Sequence, residues 1–525
     1  MAKFGQPGGN TRGLGGKTAV NSISRQQRTL VIAAMLLGGL PARALAQESS
    51  LGVFERAADI GQPKVAGSAA YDAGKREYTL GGAGVDMWTD HDEFQFIWKK
   101  IKGDFIVTAR GHFITDGGDG HKKFGWIARA NLEANSPHVN AAIHGNGDAY
   151  LLWRPTAGVK TENKLSKLKG ADVFQLERKG SRYTMSIARF GEPFVTEEVA
   201  DIDLGEEPYV GLFVCSHTAD DLQKVVFQDV RITIPVKDSF VPYTDYIGSN
   251  LELLDVETGH REIVYHVADS LQAPNWTPDG KALIYNHNGR LGRFDLTKKE
   301  PTPLDTGDRT RNNNDHVISP DGQWIGISNN NREDGNKSIV YVIPIDGGKP
   351  QRITAQGHSY LHSWSPDSRE LIFTGERKSV FDLYRIWVEG GDETRITDGQ
   401  AYNDGAEYSP DGKFIYFNST RSGTMQIWRI QPDGTQYEQM TNDEFNNWFP
   451  HFSPDGKRIA MLSFQSDVKP QDHPFYRRVY LRLMPADGGQ PKVIAYVYGG
   501  QGTINVPSWS PDGKRLAFVS NTAGE

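Results

Sequence analysis

The chain of 525 residues contains a single cysteine, Cys215, which excludes an internal disulfide framework and any cysteine-cluster metal site. Set between Phe213-Val214 and Ser216, it reads as a small buried strand residue. A dominant charge of one sign is also missing. The 58 Lys and Arg are interspersed with 65 Asp and Glu for a formal net charge of -7, so there is no broad basic field and no nucleic-acid partner is expected. Long hydrophobic runs are scarce. The stretch Leu30 to Leu40 falls short of the roughly 20 residues that cross a bilayer. Catalytic signatures are lacking as well: there is no Gly-x-Ser-x-Gly elbow and no His-Glu-x-x-His pair. Gly81-Gly82-Ala83-Gly84 and Gly499-Gly500-Gln501-Gly502 have neither the strand-then-helix setting nor the lysine of a phosphate loop, and are read as turns.

What the chain does have is punctuation. Its 57 glycines and 10% aromatics, with Pro, Asn and Asp at short intervals, predict many short strands and an all-β protein. The length predicts at least two domains. Arg25 and Arg28 precede the apolar run, and Ala44-Leu45-Ala46 follows it, the order of a secretory signal peptide over residues 1–46. Gln26-Gln27 between the arginines favours the general secretory route over the twin-arginine one, and no cysteine follows the cleavage site to carry a lipid. A periplasmic protein with no membrane span after cleavage is therefore expected, with a monomer as the default.

One motif recurs six times in the C-terminal half: Trp276-Thr277-Pro278-Asp279-Gly280, Ile318-Ser319-Pro320-Asp321-Gly322, Trp364-Ser365-Pro366-Asp367-Ser368, Tyr408-Ser409-Pro410-Asp411-Gly412, Phe452-Ser453-Pro454-Asp455-Gly456 and Trp509-Ser510-Pro511-Asp512-Gly513. The prolines are spaced by 42, 46, 44, 44 and 57 residues, and a period in the low forties suits one four-stranded propeller blade. The long last interval predicts an extra loop at Ser466 to Arg478. Ser-Pro-Asp-Gly is the chemistry of a tight turn: proline presets φ, and glycine takes the positive φ that reverses the chain. Too few strands follow Trp509 to finish a blade. The missing half is supplied by Leu251 to Leu254 and Glu262 to Tyr265, so both ends of the domain share the sixth blade and no edge is left open.

These repeats, with Ser419-Thr420-Arg421-Ser422-Gly423-Thr424-Met425-Gln426-Ile427-Trp428 and Pro485-Ala486-Asp487-Gly488-Gly489, resemble the TolB-like (WD40-like PD repeat) family of periplasmic β-propellers. The resemblance covers about half the chain, implies a six-bladed propeller over 246–525, and implies an envelope protein as a partner. It leaves activity open, because propellers host binders, scaffolds and enzymes alike.

Residues 50–238 read as strands separated by turns such as Lys102-Gly103-Asp104 and Gly145-Asn146-Gly147-Asp148, the pattern of a β-sandwich. Val210-Gly211-Leu212-Phe213-Val214-Cys215-Ser216-His217 followed by Val225 to Arg231 is similar to the closing strands of concanavalin A-like jelly rolls, a superfamily rich in glycan binders. The Glu-x-Asp-x-x-Glu pattern of glucanases is absent. Trp126, Arg129, His112, His144 and Trp153 would make a glycan patch if they shared a face, although strand alternation opposes Trp126 to Arg129.

In a propeller the innermost strands all begin at one mouth of the central channel. Aligned on the repeat, the segments before the turns bring Asn314, Asp315, His316, His358, Tyr360, His362, Asp404, Glu407, Asn447, Trp448 and His451 towards that mouth. His316, His362, Glu407 and His451 are the donor types that hold a divalent metal ion, and Asp404, Trp448, Asn447, Asn314 and Tyr360 suit a polar ligand. Oligogalacturonate lyases share such repeats and carry a mouth metal, but no lyase motif aligns here residue by residue. Two readings stay open: a protein that binds a glycan or an envelope partner without chemistry, and a metal-assisted lyase or hydrolase of acidic oligosaccharides. The same histidines could equally be bonded to neighbouring loops. The exported protein is expected to begin near Gln47, and mass spectrometry that finds Met1 retained would refute the signal peptide.

Overall fold

The structure is a computed structural model that describes residues 51–241 and 244–523, so the signal expected over 1–46 lies outside the described residues. Among the described residues there is no helix, and none therefore long and apolar enough to cross a membrane.

The first half forms two seven-stranded antiparallel sheets. One runs Arg56–Ile60, Phe94–Lys100, Tyr209–Cys215, Lys123–Arg129, His138–His144, Ala149–Arg154 and Glu162–Leu165 in spatial order. The other runs Val195–Val199, Arg182–Ala188, Val173–Lys179, Phe105–Phe113, Thr218–Thr233, Glu77–Gly84 and Ser68–Asp72. Trp126, Val139 and Leu212 of the first sheet and Phe105, Phe174 and Phe227 of the second share one core, where Phe124 meets Phe174 and Phe227 edge-on with centroids 5.5 and 5.7 Å apart.

Two expectations change here. Gly81 to Gly84 is not a turn but the end of a strand. Its glycines are there because backbone passes too close for a Cβ: one on Gly82 would stand 2.1 Å from the Val214 carbonyl oxygen, and one on Gly84 (φ +119°) 2.0 Å from that of Glu93. The proposed glycan patch does not assemble either. Trp126 is fully buried between the sheets and Trp153 packs partly buried against the same core. Arg129 lies on the opposite face, donating to Asp92, which also receives Arg154. His144 is buried and His112 is exposed on the other sheet. Cys215 is buried and free, as its setting implied.

The second half is the six-bladed propeller. Five blades are four-stranded sheets whose innermost strands are Leu271–Trp276, Asn312–Ile318, Ser359–Trp364, Asn403–Tyr408 and Asn446–Phe452. In every turn that follows, the Ser or Thr hydroxyl donates to the Asp Oδ1 at 2.6 to 2.7 Å. The same hydroxyl accepts the backbone N–H five residues on, locking the reversal. The sixth blade pairs Arg515–Thr522 with Gly248–Asp255, which in turn pairs with Arg261–Val267. Both ends of the propeller thus build its last blade, as the repeat count required.

Three elements meet on one buried carboxylate. Glu252, in Gly248–Asp255, receives Arg261 at 2.8 and 3.1 Å, Arg231 from the N-terminal sheets at 3.1 Å, and the Ser520 hydroxyl from the C-terminal strand at 2.5 Å. Burial alone would raise its pKa, but Arg261 and Arg231 outweigh it and hold the group at about 2. Around this point the N-terminal sheets grip blades five and six through backbone and tyrosine bonds, including Ala523 N to Ile234 O, Val493 N to Gly191 O and Tyr496 OH to Glu192 O.

A carboxylate whose pKa is lower folded than unfolded stabilises the fold fully above its unfolded value, near 4.5, and stops doing so as pH falls towards 2. Glu252→Ala, which leaves buried guanidinium groups unpaired, should cost about 3–5 kcal/mol at pH 7. The penalty should narrow as pH falls below about 5. Denaturant titrations of wild type and variant across that range check both points, and a pH-independent difference would refute the assignment.

Candidate functional site

Each of the five regular inner strands carries a register shift at the same place, between Gln272 and Asn275, Asn312 and His316, Leu361 and Ser363, Asp404 and Glu407, and Trp448 and His451. Such a bulge turns neighbouring side chains to new directions. It divides the sequence-predicted residues into two sets.

Towards the turn, the residue three before each proline joins its blade to the next. Asn275 accepts from Ile318 N at 2.9 Å and donates to Pro507 O at 2.6 Å. Ser363 accepts from Tyr408 N, and Glu407 accepts from Phe452 N at 2.9 Å and from His451 Nδ1 at 2.7 Å. His451 Nε2 reaches Ile504 O at 2.5 Å, and Ser508 donates to Pro274 O. Blade two has Val317 at this position, and Trp364 Nε1 bonds its carbonyl instead at 2.9 Å. All six junctions are closed in this way.

Glu407 and His451 are therefore an inter-blade bond rather than metal ligands. His316 is likewise fully buried with Nε2 3.3 Å from Ile284 O, and burial lowers its pKa to about 4. Among the described residues no three His, Cys, Asp or Glu side chains are grouped to hold a metal ion. The four expected metal donors do not fit one, since three are occupied elsewhere. Asn447 is also placed elsewhere: it is fully buried where blade five meets blade four, bonded to Gln426, Thr441, Asp443 and Ser463. Trp448 has no exposed face to offer a ligand. It packs in the core against Phe449 and His473.

Towards the mouth, three consecutive blades contribute Asp315, Tyr360, His362 and Asp404. His362 Nε2 stands 2.8 Å from Asp404 Oδ1. The same oxygen accepts Thr374 Oγ1 at 2.7 Å and Gly405 N at 2.8 Å, while Tyr402 OH donates to Oδ2 at 3.3 Å. Burial would raise the pKa of Asp404, but His362 and then His473 overcome it and hold the carboxyl at about 2. Burial works against the charge on His362, yet Asp404 raises its pKa above the ordinary value. Asp315 differs. Burial pushes it up to about 7, His362 pulls it down and Asp404 pushes it further up. Tyr360 stacks on His358 and shares a 3.1 Å hydrogen bond with its Nδ1. Asn314 Nδ2 and His362 Nδ1 are buried without a hydrogen-bond partner.

Thr374, Tyr402 and His473 had not been assigned to the site. The signal for His473 lay in the 57-residue interval, because the extra loop joins the second and third strands of blade five (Arg458–Phe464 and Arg477–Pro485) at the mouth end. The loop is braced from outside. Tyr476 OH accepts Ile247 N at 3.2 Å, and Phe240 and Tyr246 of the segment leading from the N-terminal sheets pack on Tyr476 and Phe475.

The family known as the TolB beta propeller domain (PD40) matches residues 362–474. An uncharacterised protein of Agrobacterium fabrum is 43% identical over 272 residues, covering 52% of this chain and 92% of that protein. A solved structure from Agrobacterium tumefaciens, provisionally named TolB, is 42% identical with TM-score 0.51, covering 53% of this chain and 99% of its own. Through its C-terminal half the chain belongs to the TolB-like β-propeller family. TolB from Acinetobacter baumannii, at 19% identity and TM-score 0.39 over 48% of this chain and 64% of its own, is a distant likeness on which nothing is built.

His451→Ala removes the imidazole that links Glu407 of blade four to Ile504 O of blade six and should lower stability by about 1–3 kcal/mol. His362→Ala leaves Asp404 three other donors and should cost clearly less. Denaturant unfolding of both variants tests the division, and equal costs would overturn it.

Proposed function

We propose that this is an exported, periplasmic TolB-like propeller protein that binds a ligand at the channel mouth. In this reading the N-terminal sheet pair is a concanavalin A-like sandwich that braces the mouth and extends the contact surface to a glycan or an envelope partner. The observation that carries it is the buried Asp315–His362–Asp404 group. Three blades place ionisable side chains together there, with polar atoms left unpaired, while the ring of bonds just below already closes the blades. Perturbed, incompletely paired groups at the mouth of a fold are the mark of a site rather than of a scaffold. A metal-assisted lyase is the weaker reading, because the metal donors are separated and an acidic sugar at this group would meet two carboxylates, Asp315 and Asp404.

Binding should be measured by calorimetry against a panel of neutral, acidic and amine-bearing oligosaccharides and purified envelope proteins. A ligand of the mouth should lose affinity at least tenfold with His362→Ala and be indifferent to a change on the turn face, such as Lys413→Ala. Affinity unaffected by His362→Ala in every case would refute the mouth as the site.

A further inference from the structure

The charges at the mouth do not balance, and the imbalance has a chemical meaning. Asp404 is satisfied: three hydrogen-bond donors and the His362 imidazole, 2.8 Å away, surround its carboxylate. Asp315 is as deeply placed, at 5% exposure, but makes no ion pair among the described residues. The groups that act on it are known on each side. His362 from blade three attracts its charge, Asp404 from blade four repels it, Asn313 beside it on its own strand offers a hydrogen bond, and the Tyr360 phenol lies within the field of both acids. One imidazole therefore serves two carboxylates, and it stands against the other one. Beside this carboxyl, which no cation pairs with, Asn314 Nδ2 and His362 Nδ1 are buried with nothing to bond. A group complementary to this set carries a positive charge with hydrogen-bonding oxygens next to it.

Building on the channel-mouth reading, we propose that the mouth takes the free ammonium group of an amino sugar, paired with Asp315, with the neighbouring hydroxyls meeting Asn314 and His362. An ammonium supplies the missing counter-charge, which the hydroxyl of a neutral sugar does not, and a uronate would add a third negative charge. An N-acetylated sugar has lost the charge and should be rejected for the same reason that a buried polar site rejects an analogue lacking its partner group.

The test compares chitosan tetramer, its fully N-acetylated counterpart and a galacturonate tetramer by calorimetry on the full-length mature protein. At pH 7.5 only the free amine should bind. At pH 5.5 its affinity should fall by at least twofold, because Asp315 takes up a proton and the charge gained by the sugar offsets only part of that loss. Asp315→Asn should abolish binding at pH 7.5 and melt no lower than wild type, since it removes a buried charge without a partner. Should that variant fail to fold, the wild-type pH dependence and the acetylated control still decide. Equal binding of the acetylated sugar, tighter binding at pH 5.5, retention in Asp315→Asn or no binding of the amine would each overturn the proposal. If a neutral or acidic sugar binds instead and is lost in His362→Ala, the mouth stands as the site and only the ammonium assignment falls.

Discussion

The structure depends on the ring of bonds three residues before the turn prolines. A propeller blade is twisted and cannot bury both faces alone, so its inner strand must be fixed to the next blade at each step of the circle. Here that is done with a different side chain at nearly every junction: Asn275, Trp364, Ser363, Glu407 with His451, and Ser508. Packing around the ring is apolar, but the bonds that set blade against blade are polar and buried. Buried polar networks of this kind fix one arrangement when every member is satisfied. The mouth group lies just above this ring on the same strands, separated from it by a bulge, so each strand supports the ring with one half and offers its other half to a ligand.

That division explains which residues could be read from the sequence. The propeller was legible because Ser-Pro-Asp-Gly is a local signal that needs no tertiary context, and because the repeat count made the shared sixth blade necessary. Which residues would converge on the mouth was legible only in part. Counting back from the proline reaches His316, His362, Glu407 and His451 alike, but the bulge sends the last two to the neighbouring blade, and no residue type announces a register shift. Trp448 and Asn447 were misplaced for the same reason: the side of the strand they occupy is set after the bulge, not by plain alternation.

In the N-terminal half the strand His138–His144 gives the sequence little to read: all its residues are buried, which leaves no alternation, and its histidines and asparagine imitate a loop. Gly81 to Gly84 misled in the opposite sense. Four residues that punctuate chains elsewhere are here the place where two backbones touch, and only the partner strand reveals it.

The way the sixth blade is built bears on when this protein can fold. Leu254 pairs with Leu516, and Gly248 with Thr522, across more than 260 residues of sequence. The strand Gly248–Asp255 must wait, unpaired on one side, until Arg515–Thr522 is available, and so must Glu252, whose partners include Ser520. Contacts so distant in sequence form late and slowly. A ring closed in this way cannot be completed before that strand is in place, so its last step joins the two most distant stretches of the propeller after the five regular blades can already have formed.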